Sequence, residues 1–234
     1  MALIDDVVDW PTLVEPLNQV FRSGGSVISG GSTLGGIAIS NIEPGGRGVV
    51  DMSFATMTDE DRNVEASYAM TQILAGRTVS LQLSESVQLF PAAAMTVTGT
   101  TNTAPWSNDE NWSNSQPWLL GAYINIQSGL EGSRQLTLDT TDFLDHTLIK
   151  RGHVFGIEHG SLSFTHIVDN VAVSGTTMTL TVSPPLRRTV AANTRLSRIP
   201  TMYAQCTNAS EVGQQYEHGR HVSLGSAKFV EVLF

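Results

Sequence analysis

Cysteine occurs once in 234 residues, at Cys206, which excludes an internal disulfide and a cysteine-rich zinc site. Charge is also scarce: 15% of residues are Asp, Glu, Lys or Arg, against roughly a quarter in an average soluble domain. With a net charge of −9 the chain lacks the clustered cations that grip a phosphate backbone, so gripping nucleic acid is not its expected task. No stretch approaches the roughly 18 consecutive apolar residues of a spanning helix. Met1-Ala2-Leu3-Ile4-Asp5-Asp6 has neither the basic start nor the apolar run of a signal peptide, so the expectation is a soluble, unexported chain. No Gly-x-Ser-x-Gly elbow, His-Glu-x-x-His or Gly-Lys-Ser/Thr phosphate loop occurs.

What is present points to β-structure. Serine and threonine number 47, glycine 21, and the aliphatic residues fall in short bursts. Nine glycines lie between Gly24 and Gly48, mostly in pairs, and read as turns and bulges between short strands. Ile37-Ala38-Ile39-Ser40 reads as a strand, and Val50, Met52 and Phe54 alternate with Asp51, Ser53 and Ala55 as a half-buried one. One helix is predicted over about residues 59–75. Thr58 stands as its N-cap, Asp59, Glu60 and Asp61 in its first turn, Gly76 after its end, and Val64, Tyr68, Ile73 and Leu74 as its apolar positions. Val79/Leu81/Leu83 and Val87/Leu89 follow as strands. Residues 1–22 read as a terminal extension broken by Pro11 and Pro16, and 91–118 as a loop or the start of a second unit.

Over 121–199, beginning with Ala122/Ile124/Ile126, alternation returns in five or six short strands about ten residues apart, with Ser174-Gly175-Thr176-Thr177 as a hairpin turn, the pattern of a small barrel or sandwich. A polar stretch then runs to Arg220, and the apolar close, Val222–Leu224 and Phe229–Phe234, needs a sheet to pair with. Charge divides unevenly. Up to Lys150 there are 17 acids and 6 bases, a net −11, and from Arg151 onward 5 acids and 7 bases, a net +2.

Three constellations invite a chemical reading. His146, His153, His159 and His166 gather near Asp142, Asp145, Glu158 and Asp169, but the spacings suit no metal site, and none is expected; nor is a cofactor. Asp139, Asp142 and Asp145 could serve glycoside hydrolysis, and more simply form a solvated face or a helix cap. Trp106, Trp112 and Trp118 could stack on sugar rings, which keeps open a carbohydrate-binding module or small glycosidase; the alternative is that they anchor a loop or pack against another subunit. Arg187 and Arg188, beyond a ladder ended by Pro184-Pro185, stand free to pair with acids on a neighbour.

Four stretches together resemble a known family. The strand–helix–Ala75-Gly76-Arg77–strand order of the first 90 residues, the segment Ile149-Lys150-Arg151-Gly152-His153-Val154-Phe155-Gly156-Ile157, the run Ser183-Pro184-Pro185-Leu186-Arg187, and the closing Val222–Phe234 are similar to the distal tail proteins of long-tailed bacteriophages. The resemblance implies a non-enzymatic virion component, made in the host cytoplasm and carried at the tail tip. It would form a homohexameric ring between the tail tube protein and the baseplate hub protein, with tail fibres or a host-surface glycan as further partners and DNA only as cargo in the channel. The implied fold is mainly β: a split-barrel or sandwich belt domain with one helix, residues 1–90 and 201–234, and an inserted peripheral β-barrel of oligonucleotide/oligosaccharide-binding type, residues 91–200. A tube or tube-terminator protein is the neighbouring alternative, which the strands of 121–199 disfavour. An acidic channel wall would repel DNA phosphates, a role for the −11 half.

Overall fold

The computed structural model describes residues 7–24, 27–32, 38–42, 46–83, 103–104, 118–119, 124–140, 146–160, 162–192, 194–197, 200–213, 215–217 and 221–233. In chain order the elements are β1 (Val7–Asp9), β2 (Pro16–Ser23), β3 (Val27–Ser32), β4 (Ala38–Ile42), β5 (Gly48–Phe54), α1 (Glu60–Leu74), β6 (Thr78–Gln82), β7 (Thr103–Ala104), β8 (Trp118–Leu119) and β9 (Ile124–Ser128). There follow β10 (Gln135–Asp139), a 3-10 turn (His146–Leu148), β11 (Val154–His159), β12 (Leu162–Ser174), β13 (Thr177–Ser183), β14 (Thr194–Ser197), β15 (Thr201–Cys206), β16 (Gln215–Glu217), β17 (His221–Ser223) and β18 (Ser226–Glu231). The fold is mainly β, with one α-helix and two principal sheets among the described residues.

The first sheet is open and runs β1-β6-β15-β18-β5-β2, so strands from both ends of the chain share it. The pairing is antiparallel except between β1 and β6. Phe21, Val50 and Phe229 stand opposite one another on β2, β5 and β18, a buried row across three strands. Trp10 stacks on Phe54 at 5.7 Å and meets Phe229 edge-on at 5.6 Å, while its indole N–H donates to the Val14 carbonyl at 2.8 Å. Residues 7–23 are therefore not an extension: the prolines that forbid a helix leave two edge strands intact, and Pro16 opens one of them. The segment after Pro200 likewise holds β15, a sheet-interior strand whose buried face is only Met202 and Ala204.

Helix α1 is capped by Asp59, whose side chain accepts from the Asp61 amide at 3.4 Å, one residue later than the expected Thr58. Gly76 ends it at φ +69, where only glycine is unstrained. The buried face is Ala66, Ala69 and Ile73; the expected positions Val64 and Leu74 are 65% and 61% exposed. Ala66 and Ile73 join the sheet's apolar cluster, while the side chains of Val64 and Leu74 face solvent. Asp59→Ala should cost roughly 0.5–1 kcal/mol, read as a shift of the denaturation midpoint at unchanged slope.

The second sheet closes on itself as β10-β13-β12-β11-β14-β9, every neighbour antiparallel. It has six strands, where an oligonucleotide/oligosaccharide-binding barrel has about five. Leu136, Leu138, Phe155, Ile157, Met178 and Leu180 fill its interior with the alternation read from the sequence. Gly175 at φ +59 makes the two-residue turn between β12 and β13. All barrel strands lie between β6 and β15 in the chain, and the exit and return run side by side, the Leu83 amide donating to the Pro200 carbonyl at 2.9 Å. Val154 of β11 belongs to the sheet's apolar cluster, and Ile167 of β12 packs against it, so barrel and sheet meet through these strands.

Candidate functional site at the barrel–sheet junction

The polar groups that tie barrel to sheet come from three places. After β13 the chain leaves the ladder at Pro184-Pro185, and the next residues are pinned to the β9–β10 turn: the Leu186 amide donates to Ser133 and the Gly132 amide to Leu186, both at 2.8 Å. Leu186 is buried in the barrel core, which sends the following residue toward the sheet. There the Arg187 guanidinium donates to Glu231 Oε2 at 2.7 Å and to the Gly46 carbonyl at 2.7 Å. Glu231 Oε2 also accepts from the Gly48 amide at 2.8 Å. Both side chains are largely out of water, at 11% and 3% exposure.

A carboxylate in that setting persists because a cation and an amide reach it together; neither alone would offset the loss of water. Two other ion pairs, Arg22–Asp51 at 2.6 Å and Arg134–Asp169, are roughly half-exposed and contribute little to stability. Asp169 is the extra residue of a bulge in β12, which turns its carboxylate onto Arg134 and onto the Ser183 hydroxyl, 2.5 Å away.

Beside this junction lies His166, 1% exposed and opposite Phe155 across the β11–β12 ladder. Its Nδ1 lies 2.8 Å from the Pro184 carbonyl and so carries the proton. Burial pushes the imidazole down to about 4 against the pull of that hydrogen bond, with Arg187 and His159 lowering it further. His153 and His159 are lowered as well, by burial first and then by Lys150 and Arg188 respectively. The histidines do not converge: His153 Nδ1 accepts from the Lys150 amide at 3.1 Å, His159 stands edge-on to Phe164, and among the described residues no three His, Cys, Asp or Glu groups come together as a metal site. Cys206 is half-buried and hydrogen-bonded to Asn208, and burial pushes its thiol up, away from the reactive thiolate.

Of the residues singled out from the sequence, Trp106 and Trp112 lie outside the described residues, as do Asp142 and Asp145. Trp118 sits in β8, paired with β7, and its side chain is outside the described part. Arg188 is exposed. Arg187 departs from its expected freedom to pair with a neighbour, since its own chain already supplies a carboxylate and a carbonyl. The partner that sequence reading missed, Glu231, did carry a signal. Ala227, Phe229 and Glu231 are two apart on one strand, so the period that buries the first two buries the carboxylate as well. No protein-family model matches the chain, and no curated protein matches it either.

Proposed function

We propose that the chain is a structural subunit of a bacteriophage tail tip, a distal tail protein whose copies close a hexameric ring between the tail tube and the baseplate hub. The observation that carries this reading is the β3–β4 hairpin. It stands between β2 and β5 in the chain, pairs Val27↔Ile42 through Ser32↔Ala38, and among the described residues pairs only with itself. Residues 23–42 contain no charged side chain. A two-stranded hairpin is marginal in water by itself, and a neutral one gains most from lying on another protein surface. Among the described residues the sheet also ends in two open edges, β1 and β2, to which strands of another copy can be added. Such head-to-tail contacts generate a ring when the rotation between copies closes.

The test is solution mass and electron microscopy of the intact chain beside a variant in which residues 25–45 are replaced by Asn-Gly. Gly24 and Arg47 are already hydrogen-bonded across the ladder, so the shortened hairpin closes where the structure permits. The expected result is a six-fold ring for the intact chain, each copy 25.2 kDa, and a folded monomer for the variant. An intact chain as monomeric as the variant, alone and with tail tube protein, would remove the reading's support.

A further inference from the structure

The base of the hairpin arm is packed and held. The β2–β5 ladder ends at Ser23↔Gly48, and one step on the Gly24 amide donates to the Arg47 carbonyl at 2.5 Å. No side chain fits there: a Cβ on Gly24 would lie 2.6 Å from the Arg47 carbonyl oxygen, and one on Gly48 would lie 2.8 Å from the Phe21 ring. On the leg that returns from the arm, the two peptide groups flanking Arg47 are both taken by the junction. Arg187 holds the Gly46 carbonyl, and Glu231 holds the Gly48 amide. Of these two residues one belongs to the segment after the last hairpin strand of the barrel, and the other to the sheet strand β18 beside β5.

We infer that Arg187 is a positioning residue for the arm: through Gly46 the barrel sets the direction in which the β3–β4 hairpin leaves the sheet. Glu231 is the fixed point against which the guanidinium is oriented, since one nitrogen donates to both acceptors. The inference rests on the reading of the arm as the bridge between copies for its purpose, but not for its physics, which concerns a single chain. If the arm joins neighbours, a load on the barrel reaches the neighbouring copy through this one guanidinium rather than through the sheet alone.

The experiment uses the full chain with Cys206→Ser and nitroxides at Ser29 on the arm and Ser226 on the sheet, with pulsed electron spin resonance as the distance readout and hydrogen exchange as the second. Arg187→Met alone leaves a buried carboxylate and risks not folding, so the deciding variant is Arg187→Met with Glu231→Leu, which replaces the pair by apolar groups. The expected result is a distance distribution about twofold broader than in the parent and exchange about tenfold faster at the Gly24 amide, which keeps its Arg47 acceptor in the variant, with the Leu180 and Phe229 amides exchanging as before. An unchanged distance distribution in the folded double variant overturns the inference. So does a double variant with no cooperative thermal transition, because the pair would then be a requirement of the whole fold and not a device for the arm. Failure of the ring reading looks different: the parent stays monomeric, whatever its distance distribution does.

Discussion

Arg187→Met is expected to lower the stability of the folded chain by about 3–5 kcal/mol, the largest loss from any single side chain described here. The reason lies in what the substitution leaves behind. Glu231 is 2% exposed, and without the guanidinium its carboxylate keeps, among the described residues, the Gly48 amide as its hydrogen-bond partner. Removing one member of a buried pair costs more than the pair contributes, since the remaining charge has lost both water and counter-charge. Adding Glu231→Leu should therefore restore most of the loss, to within about 1 kcal/mol of the parent, because apolar groups of similar volume substitute well for buried ion pairs. Guanidinium unfolding of the parent, both single variants and the double variant forms the cycle that measures this. If the single and double variants lose the same amount, the cost comes from packing along the arginine stem and the electrostatic account fails.

Acid is expected to destabilise the fold through His166, and the direction follows from its folded-state value of about 4 against an ordinary 6.5. Above pH 6.5 the imidazole is neutral in both folded and unfolded chains and stability does not depend on it. As pH falls from 6.5 toward 4 the unfolded chain takes up the proton and the folded chain does not, so stability falls by up to about 1.4 kcal/mol per pH unit, on the order of 3 kcal/mol in all. Below pH 4 both states are protonated and the loss is complete. The charged groups facing the ring are Arg187 and His159, both of which oppose a second positive charge there. His166→Gln retains a donor for the Pro184 carbonyl and removes the titration. Unfolding free energies at pH 7.5, 6.5, 5.5 and 4.5 should fall less steeply with acid in the variant than in the parent, and an equal slope in both would assign the acid sensitivity to other groups.

The alternation of apolar residues made most of the barrel readable, because β10 and β13 bury one face in a single core with a clean period of two. The helix was readable in place and length for the same kind of reason, a run of acids at one end and a glycine at the other. Its orientation was not, because two of its three buried positions are Ala66 and Ala69, which carry almost no hydropathy signal, while Val64 and Leu74 advertise a face that is exposed. In β2 a bulge between Pro16 and Asn18 shifts the alternation, and in β15 the buried side chains are as inconspicuous as Met202 and Ala204. The Arg187–Glu231 contact joins residues 44 apart, one in the β13–β14 connection and one on β18, and only the period of β18 hinted that a cation had to arrive from somewhere. Which cation was a question of tertiary structure.

The chain leaves the sheet after β6 and comes back into β15 as the next-door strand, with Gln82 directly opposite Thr201. Two ends that meet as partners in an antiparallel ladder are about 5 Å apart, which is the spacing at which one insert can be exchanged for another without moving either strand. The sheet, helix and arm thus form a constant frame, and the barrel a cassette whose replacement leaves six of six sheet strands paired as before. Away from the ladder ends such an exchange would sever the Arg187 ion pair and the apolar contacts of Val154 and Ile167, so an incoming cassette has a short specification: ends that match the ladder, apolar side chains for the sheet's cluster, and a cation for Glu231.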